Sequence, residues 1–165
     1  MTRWVHFTDE PLTAVEAREQ KPRPRFKPTG LWVSDEDDYG WKAWAEEEMS
    51  ERCGEGRLRL AYEVTLAEGA NLLSLSTVAA LDEFSETYGV DRGGPLRALG
   101  GRYIDAVDWQ AVAAKYAGIL ITPYVWECRL SSQTAWYYPW DCASGCIWDP
   151  AAIATVQLQD GSALR

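Results

Sequence analysis

KPTGLWVS, residues 27–34, places a Pro-Thr-Gly turn directly before a short apolar strand that carries a tryptophan and ends in serine. Proline and glycine in this order are typical of a turn, and the Leu-Trp-Val run that follows consists largely of residue types that favour strands. The segment therefore predicts a strand over residues 31–34. It also raises the question of why so short a strand carries a bulky indole so close behind a glycine.

The composition is that of an ordinary folded protein with one unusual feature, its aromatic content. The chain has 165 residues, of which 47% are hydrophobic and 25% are charged, and this length fits one compact domain over residues 1–165. Nine Trp and eight Tyr exceed the ordinary number of large rings. Such a surplus fits either a Trp-rich core or a ring-lined cleft or interface.

The formal net charge of −9 argues against non-specific coating of nucleic acid, because phosphate groups repel an acidic surface. A nucleic-acid substrate held by a local basic patch remains possible. The loop directly before the quoted strand contains the densest cluster of basic residues in the chain: Arg18, Lys21, Arg23, Arg25 and Lys27.

The cysteines and the start of the chain bear on where the protein works. No signal-like apolar segment opens the chain and no run approaches a membrane span, so we expect a cytoplasmic protein without a membrane partner. Reduced cysteines are then expected. With His6 as the single histidine beside Cys53, Cys128, Cys142 and Cys146, we expect no metal site.

Hydrophobic periodicity and turn residues predict a mixed order of strands and helices. Strands are expected at residues 3–9, 31–34, 57–66, 71–76, 119–124 and 145–149. Helices are expected after caps at Thr8 or Asp9, at Asp37 or Asp38, at Thr77 and at Asp108, the second of them running to about Arg52. Because few of these elements form strict strand–helix–strand units, we expect an α+β fold.

Three short segments occur in a suggestive order, whereas the common phosphate-binding and hydrolase motifs are absent from the sequence. They are VHFT at residues 5–8, GLWVS at 30–34 before an aromatic-bearing helix, and SGCIWD at 144–149. These segments resemble the first-strand histidine motif, the G-[IL]-Y-F-[AS]…Y segment and the late E-Y-[IV]-[IV]-Y-D strand of ADP-ribosyltransferases of the diphtheria-toxin and poly(ADP-ribose) polymerase branch. The resemblance spans nearly the whole chain and implies split antiparallel β-sheets with flanking helices.

The chemistry that the resemblance implies is cleavage of the nicotinamide–ribose bond of NAD+ and transfer of ADP-ribose to an acceptor. The enzyme would be a mono-ADP-ribosyltransferase with NAD+ as its substrate. On the first strand, His6 would be a catalytic residue that also hydrogen-bonds the adenosine ribose. The backbone of Phe7 would meet the nicotinamide amide, with Thr8 beside it at the cofactor.

The second motif would supply the walls of the NAD+ slot. By the resemblance, Gly30 would let the backbone approach the cofactor, Trp32 would take the aromatic position and Ser34 would offer a polar contact. Trp41 or Trp44 would stack on the nicotinamide ring, as the family's helix tyrosine does. Helical spacing alone explains these tryptophans equally well as core residues.

The departure from the family pattern lies at the acid. Ser144 stands where the family usually has a glutamate, and it is left as a candidate contact for the acceptor. The nearest carboxylate is that of Asp141, three residues earlier, which is expected to stabilise the developing ribosyl cation. Asp149 and Glu127 are poorer choices, and Asp141 also fits a simple turn cap.

The acceptor would meet the loop before the acid and the basic loop before Gly30. The residues predicted to contact it are Arg23, Arg25, Trp136, Tyr138 and Trp140. Rings that stack on bases beside a local basic patch favour a nucleic-acid base, DNA or RNA, slightly over a protein side chain. A toxin or phage–host conflict would suit so compact an enzyme.

Two other interpretations remain open. An acidic, Trp-rich immunity or inhibitor-type binding protein would use residues 35–38 and 46–48 as its face and leave His6 buried and inert. An inactive transferase fold that binds NAD+ without turnover would account for the missing glutamate.

Overall fold

A computed structural model describes residues 2–48, 59–91 and 101–159. The described strands are β1 (Trp4–Thr8), β2 (Leu31–Asp35), β3 (Leu60–Leu66), β4 (Leu72–Leu75), β5 (Gly89–Asp91), β6 (Ile104–Val107), β7 (Gly118–Ile121), β8 (Ser144–Ile147) and β9 (Ile153–Leu158). The helices are α1 (Trp41–Glu48), α2 (Val78–Tyr88) and α3 (Trp109–Ala113), with short 3-10 segments at Trp126–Cys128, Ser132–Tyr137 and Pro150–Ala152. This mixture confirms the α+β class.

One mixed sheet of seven strands, in the order β4-β7-β8-β2-β1-β3-β9, organises the described residues, and β5 and β6 form a separate pair. Within the large sheet β4 and β7 run parallel, and the other neighbouring strands run antiparallel. The expectation of split antiparallel sheets is therefore wrong for this one pair of strands. The parallel pair requires a long crossover, which the chain supplies through α2, β5, β6 and α3.

The feature that creates a site is a partial split between β1 and β2. Strand β1 pairs with β3 along its whole length, from Trp4 to Thr8, but it pairs with β2 only at Trp4↔Asp35 and Val5↔Ser34. On its other edge β2 stays paired with β8 throughout. Beyond Val5 the sheet therefore opens between two of its central strands, and it leaves backbone there without a ladder partner.

Most of the aromatic surplus is core. The larger of two buried clusters lies where α2, α3 and the 3-10 segment Ser132–Tyr137 cover the sheet. Trp136 and Trp140 are both 0% exposed within it. The smaller cluster, around Trp4, Val33 and Ile147, draws its residues mainly from β1, β2, β3, β7 and β8 of the large sheet. Most of the tryptophan and tyrosine rings therefore belong to the core or pack against it, and few of the described rings line a cleft.

The helix caps at Thr77 and Asp108 are confirmed. The Thr77 hydroxyl accepts a hydrogen bond from the Ala80 amide at 3.2 Å, and the Asp108 carboxylate accepts one from the Ala111 amide at 3.1 Å. These side chains satisfy amides that the first turn leaves without partners.

Three other expectations about secondary structure need correction. No helix forms at residues 9–20, where the chain has no regular secondary structure and the Leu12 amide donates to the Tyr62 hydroxyl at 3.0 Å. Helix α1 begins at Trp41 rather than after Asp37 or Asp38, and its expected end at Arg52 lies outside the described residues. Strands β5, β6 and β9 were not expected at all. Among the helices described, none has the length and apolarity needed to cross a membrane.

Candidate functional site

A cleft of about 290 Å³ opens at the split between β1 and β2. Its lining comes from both strands, from the basic loop before β2, from the start of α1 and β8 and from the loop before β8: Val5, Phe7, Lys27, Trp32, Val33, Ser34, Trp41, Asp141, Cys142 and Ser144. Of the residues singled out from the sequence, the fold therefore brings together Phe7, Trp32, Ser34, Trp41, Asp141 and Ser144. His6, Thr8, Gly30 and Trp44 lie outside this lining.

Ser34 positions one aromatic wall of the cleft. Its hydroxyl accepts a hydrogen bond from the Trp41 amide and donates one to the Glu36 carboxylate, each at 2.6 Å. The hydroxyl thereby fixes the first residue of α1 on the end of β2. Ser34 was expected to contact the cofactor directly, but both of these bonds are internal, so its observed role is to hold Trp41 in place.

Trp41 is backed by Trp44, with ring centroids 4.7 Å apart. Trp44 stands behind Trp41 rather than in the lining, and this separates two residues that the sequence could not tell apart. The indole nitrogen of Trp41 is buried and makes no hydrogen bond within the described part of the chain. A buried donor without a partner costs about 1–3 kcal/mol and is uncommon in folded proteins.

The opposite wall is Trp32, and a cation already covers it. The Lys27 ammonium lies 4.8 Å from the Trp32 ring centroid, within the range of a cation–π contact. On another side the Trp32 ring packs edge-on against Trp140 at 4.8 Å. Burial lowers the pKa of Lys27, while nearby Asp141 acts in the opposite direction.

Asp141 supplies the carboxylate of the cleft. Burial raises its pKa, and the positive charges of Lys27 and Arg129 partly offset that rise. An Arg129 guanidinium nitrogen lies 3.5 Å from a carboxylate oxygen of Asp141. The cleft thus places an acid between two cations and close to two indole rings.

His6 occupies the split itself. Its Nδ1 donates a hydrogen bond to the Trp32 carbonyl at 2.7 Å, which replaces a ladder bond at the point where β1 and β2 part. Burial lowers the pKa of His6, so the neutral ring is favoured. In this tautomer Nε2 is an acceptor. The neighbouring Phe7 lines the cleft, whereas the Thr8 hydroxyl bonds the Glu10 backbone.

Gly30 is required by the sheet rather than by open space beside the cleft. A side-chain carbon at this position would lie 2.5 Å from the Ile147 carbonyl oxygen and 2.8 Å from the Cys146 sulfur. The glycine thus lets β8 approach, which corrects the expectation that it makes room for a cofactor. Trp32, two residues later, does line the cleft. The expected explanation of GLWVS therefore agrees with the packing for the indole but not for the glycine.

Gly30→Ala is expected to destabilise the fold by about 1–3 kcal/mol, because neither the Ile147 backbone nor the buried Cys146 can move away easily. Urea unfolding followed by tryptophan fluorescence would measure the change. A cost below about 0.5 kcal/mol, the range of surface substitutions, would contradict this packing role.

Cys142 lines the cleft but is not poised as a nucleophile. Burial raises the pKa of its thiol to about 12, so the thiolate is scarce at neutral pH. The Ser144 hydroxyl donates to the Cys142 carbonyl at 2.9 Å. Ser144, at the position where the resemblance expects a glutamate, pairs with Ser34 across β2 and β8.

The aromatic residues expected to meet the acceptor separate into two groups. Trp136 and Trp140 are fully buried, so the expectation that they contact an acceptor is wrong for both. Tyr138 is 56% exposed, and Arg23 and Arg25 are exposed on the basic loop. That loop is tied at its base by Gln20, whose side chain bonds the backbone of Thr29 through both amide atoms, at 2.7 and 2.9 Å.

Lys27 and Arg129 are the functional candidates that sequence reasoning missed. Lys27 was counted only as part of the basic loop, although its place three residues before Gly30 could have indicated the cleft. Arg129 directly follows the 3-10 segment Trp126–Cys128, and no local sequence pattern links it to Asp141.

The acidic segment 35–38 is largely occupied by the fold. Asp35 is 4% exposed and accepts hydrogen bonds from the Thr122 hydroxyl at 2.6 Å and the Asp37 amide at 3.0 Å. Asp38 accepts from the Tyr124 amide at 2.9 Å. Glu46, Glu47 and Glu48 on α1 are exposed. A binding face of the kind considered above would therefore have to rest mainly on α1.

No group of three or more potential metal ligands occurs among the residues that the structure describes. No protein-family model, no curated protein and no solved structure matches this chain.

Proposed function

We propose that the protein is an NAD+-dependent mono-ADP-ribosyltransferase that cleaves the nicotinamide–ribose bond and transfers ADP-ribose to a macromolecular acceptor, with a nucleic-acid base slightly favoured. The observation that carries the proposal is the cleft at the β1–β2 split, where two indoles and one carboxylate meet. The VHFT, GLWVS and SGCIWD segments contribute to or border this one place.

The size and the rings of the cleft support binding of the planar nicotinamide ring, which is cationic in NAD+ and departs as a neutral molecule. At about 290 Å³ it lies near the lower end of the range for ligand pockets, which suits the nicotinamide–ribose end of NAD+ rather than the whole dinucleotide. Lys27 covers the face of Trp32, so Trp41 is the ring left for stacking.

Asp141, Arg129 and His6 would have separate roles in cleavage of the nicotinamide–ribose bond. As nicotinamide departs with the bonding electrons, positive charge grows on the ribose, and the Asp141 carboxylate can stabilise that charge. Arg129 holds the carboxylate in position from one side. Away from that bond, the neutral His6 ring can accept a hydrogen bond from a hydroxyl of the adenosine ribose through Nε2 while Nδ1 remains bound to the Trp32 carbonyl.

NAD+ binding tests the proposal. At a concentration of NAD+ one hundred times its Kd, binding stabilises the protein by about 2.7 kcal/mol, and this raises Tm by about 5–10 °C. Trp41→Ala should abolish most of the rise. The matched control is Trp126→Ala, because Trp126 packs on Tyr39 and Tyr124 outside the cleft and should leave the rise intact.

The outcomes separate the three interpretations. No rise with NAD+ in the wild type would contradict both NAD+-binding interpretations and leave a non-enzymatic binder. A rise without any release of nicotinamide would indicate the inactive, NAD+-binding fold. A rise together with release supports the transferase.

A further inference from the structure

A second groove lies beside the cleft and is strongly apolar. It measures about 540 Å³ and is lined by Phe26, Tyr103, Arg129, Leu130, Ser131, Ser132, Ala135, Tyr138 and Pro139. Four of its large side chains are exposed, from Tyr103 at 43% to Leu130 at 85%, with Tyr138 at 56%. Exposed rings and an exposed leucine gathered in one concave place are typical of a binding surface rather than of solvent-facing loops. We call this surface the aromatic groove.

The aromatic groove is continuous with the cleft. A smaller cavity of about 450 Å³ shares Phe26 and Pro139 with the groove and Lys27 with the cleft. Arg129 lines the groove, and its guanidinium reaches to 3.5 Å from Asp141. A molecule lying in the groove would therefore approach the carboxylate of the cleft within the length of one side chain.

The charge of this path is opposite to that of the whole protein. The chain carries a net charge of −9, yet no acidic residue is found among the described residues that line the groove and the smaller cavity. The cations there are Arg25, Lys27 and Arg129. The Arg129 guanidinium also lies 5.6 Å from the Tyr138 ring centroid, which holds a charge beside a stacking surface.

The backbone fixes Arg25 at this surface. The Arg25 amide donates a hydrogen bond to the Val107 carbonyl at 3.1 Å, and the Arg25 carbonyl accepts one from the Val107 amide at 2.9 Å. The Trp109 indole nitrogen bonds the same Arg25 carbonyl at 3.0 Å. The basic loop is thus anchored to β6, and the exposed Arg25 side chain has a defined place on the path.

We propose that the aromatic groove binds a single-stranded nucleic acid and delivers one of its bases to Asp141. This inference rests on the proposed transferase function and names its acceptor. Rings beside cations suit a strand whose bases are unstacked and whose phosphates need neutralising. A duplex keeps its bases stacked on one another and would gain little from Tyr138 and Phe26.

Oligothymidine and oligouridine of equal length, labelled with fluorescein, are the probes, with binding followed by anisotropy at low salt. Both strands should bind, and the affinity should fall as salt rises. Tyr138→Ala is expected to weaken binding about tenfold, whereas Tyr138→Phe keeps the ring and should bind as the wild type does. A duplex of the same length should bind more weakly.

A charge-matched pair of variants isolates the cationic path from the net charge. Arg25→Glu lies on the path, whereas Arg18→Glu makes the same change at an exposed arginine that lines neither the groove nor the smaller cavity. Arg25→Glu should weaken binding clearly more than Arg18→Glu and should flatten the salt dependence. Equal effects of the two would contradict the assignment.

The inference and the proposed function fail in different ways. One result would overturn the assignment of the groove and leave the transferase intact. In it the protein releases nicotinamide and a protein acceptor accelerates the release, but no single strand binds the protein or accelerates the release. Tight, Tyr138-dependent binding of a single strand without any cleavage of NAD+ would support the groove and contradict the transferase.

Discussion

Asp141→Asn is expected to lower the rate of nicotinamide release by about 100-fold or more, because removing one well-placed electrostatic stabiliser typically costs 10²–10³ in kcat. Asparagine keeps the size of the side chain and loses only its charge, so NAD+ should still produce a thermal shift. Release would be measured by chromatography of the free base. A variant that retains more than about a third of the wild-type rate would remove Asp141 from the reaction.

Asp141→Asn should be at least as stable as the wild type at neutral pH. Confirming this would exclude unfolding as the cause of the lost activity. Burial raises the pKa of Asp141 above its value in the unfolded chain, so the ionised carboxylate disfavours folding. Asp141→Asn should therefore equal or exceed the wild type in stability at pH 7. The difference should begin to shrink as the pH falls below the folded pKa and should be gone below the lower pKa of the unfolded chain, where the carboxyl is neutral in both states. Urea unfolding at several pH values would test this sign.

Trp136→Ala is expected to cost about 3–5 kcal/mol of stability, the largest loss that we predict for one side chain. The ring is fully buried and packs against Phe84 and Trp109, with centroids 5.0 and 6.0 Å away. Its indole nitrogen donates to the Ser85 hydroxyl at 2.7 Å inside the same core. The variant removes both the packing and this bond.

Tyr138→Ala is the matched control for Trp136, because it removes a ring from the same loop at an exposed position. It should change stability by less than about 0.5 kcal/mol. Comparable losses in the two variants would show that Tyr138 is part of the core, and this would undermine its use as a stacking surface. Thermal and urea unfolding of both proteins give the comparison.

Much of the fold could be predicted because its signals are local. The caps at Thr77 and Asp108 are short-range hydrogen bonds, and β2 and β3 carry clear strand patterns. Strand β9 was missed since it lies at the edge of the sheet, where four of its six residues are exposed and the alternation is weak. The helix expected after Thr8 fails because the segment is held by tertiary contacts to Tyr62 and Trp148.

The site could be predicted only in part, for a similar reason. Trp32 and Trp41 are joined by one short connection, so their meeting follows from the local chain. The burial of Trp136 depends on α2 and β6, and Trp140 packs against Trp32 on β2. These partners are distant in sequence, and no spacing within the loop distinguishes the two buried rings from the exposed Tyr138. The approach of Arg129 to Asp141 is likewise a result of how the 3-10 segments fold back.

The measurement that tests the central claim most directly is the release of nicotinamide from NAD+ by the wild-type protein, with single-stranded oligonucleotide or protein present as acceptor. NADH is the matched control, because its uncharged ring is a poor leaving group. We expect free nicotinamide from NAD+, none from NADH, and a faster rate with the oligonucleotide. No release with any acceptor, together with no thermal shift by NAD+, would contradict the assignment of the cleft.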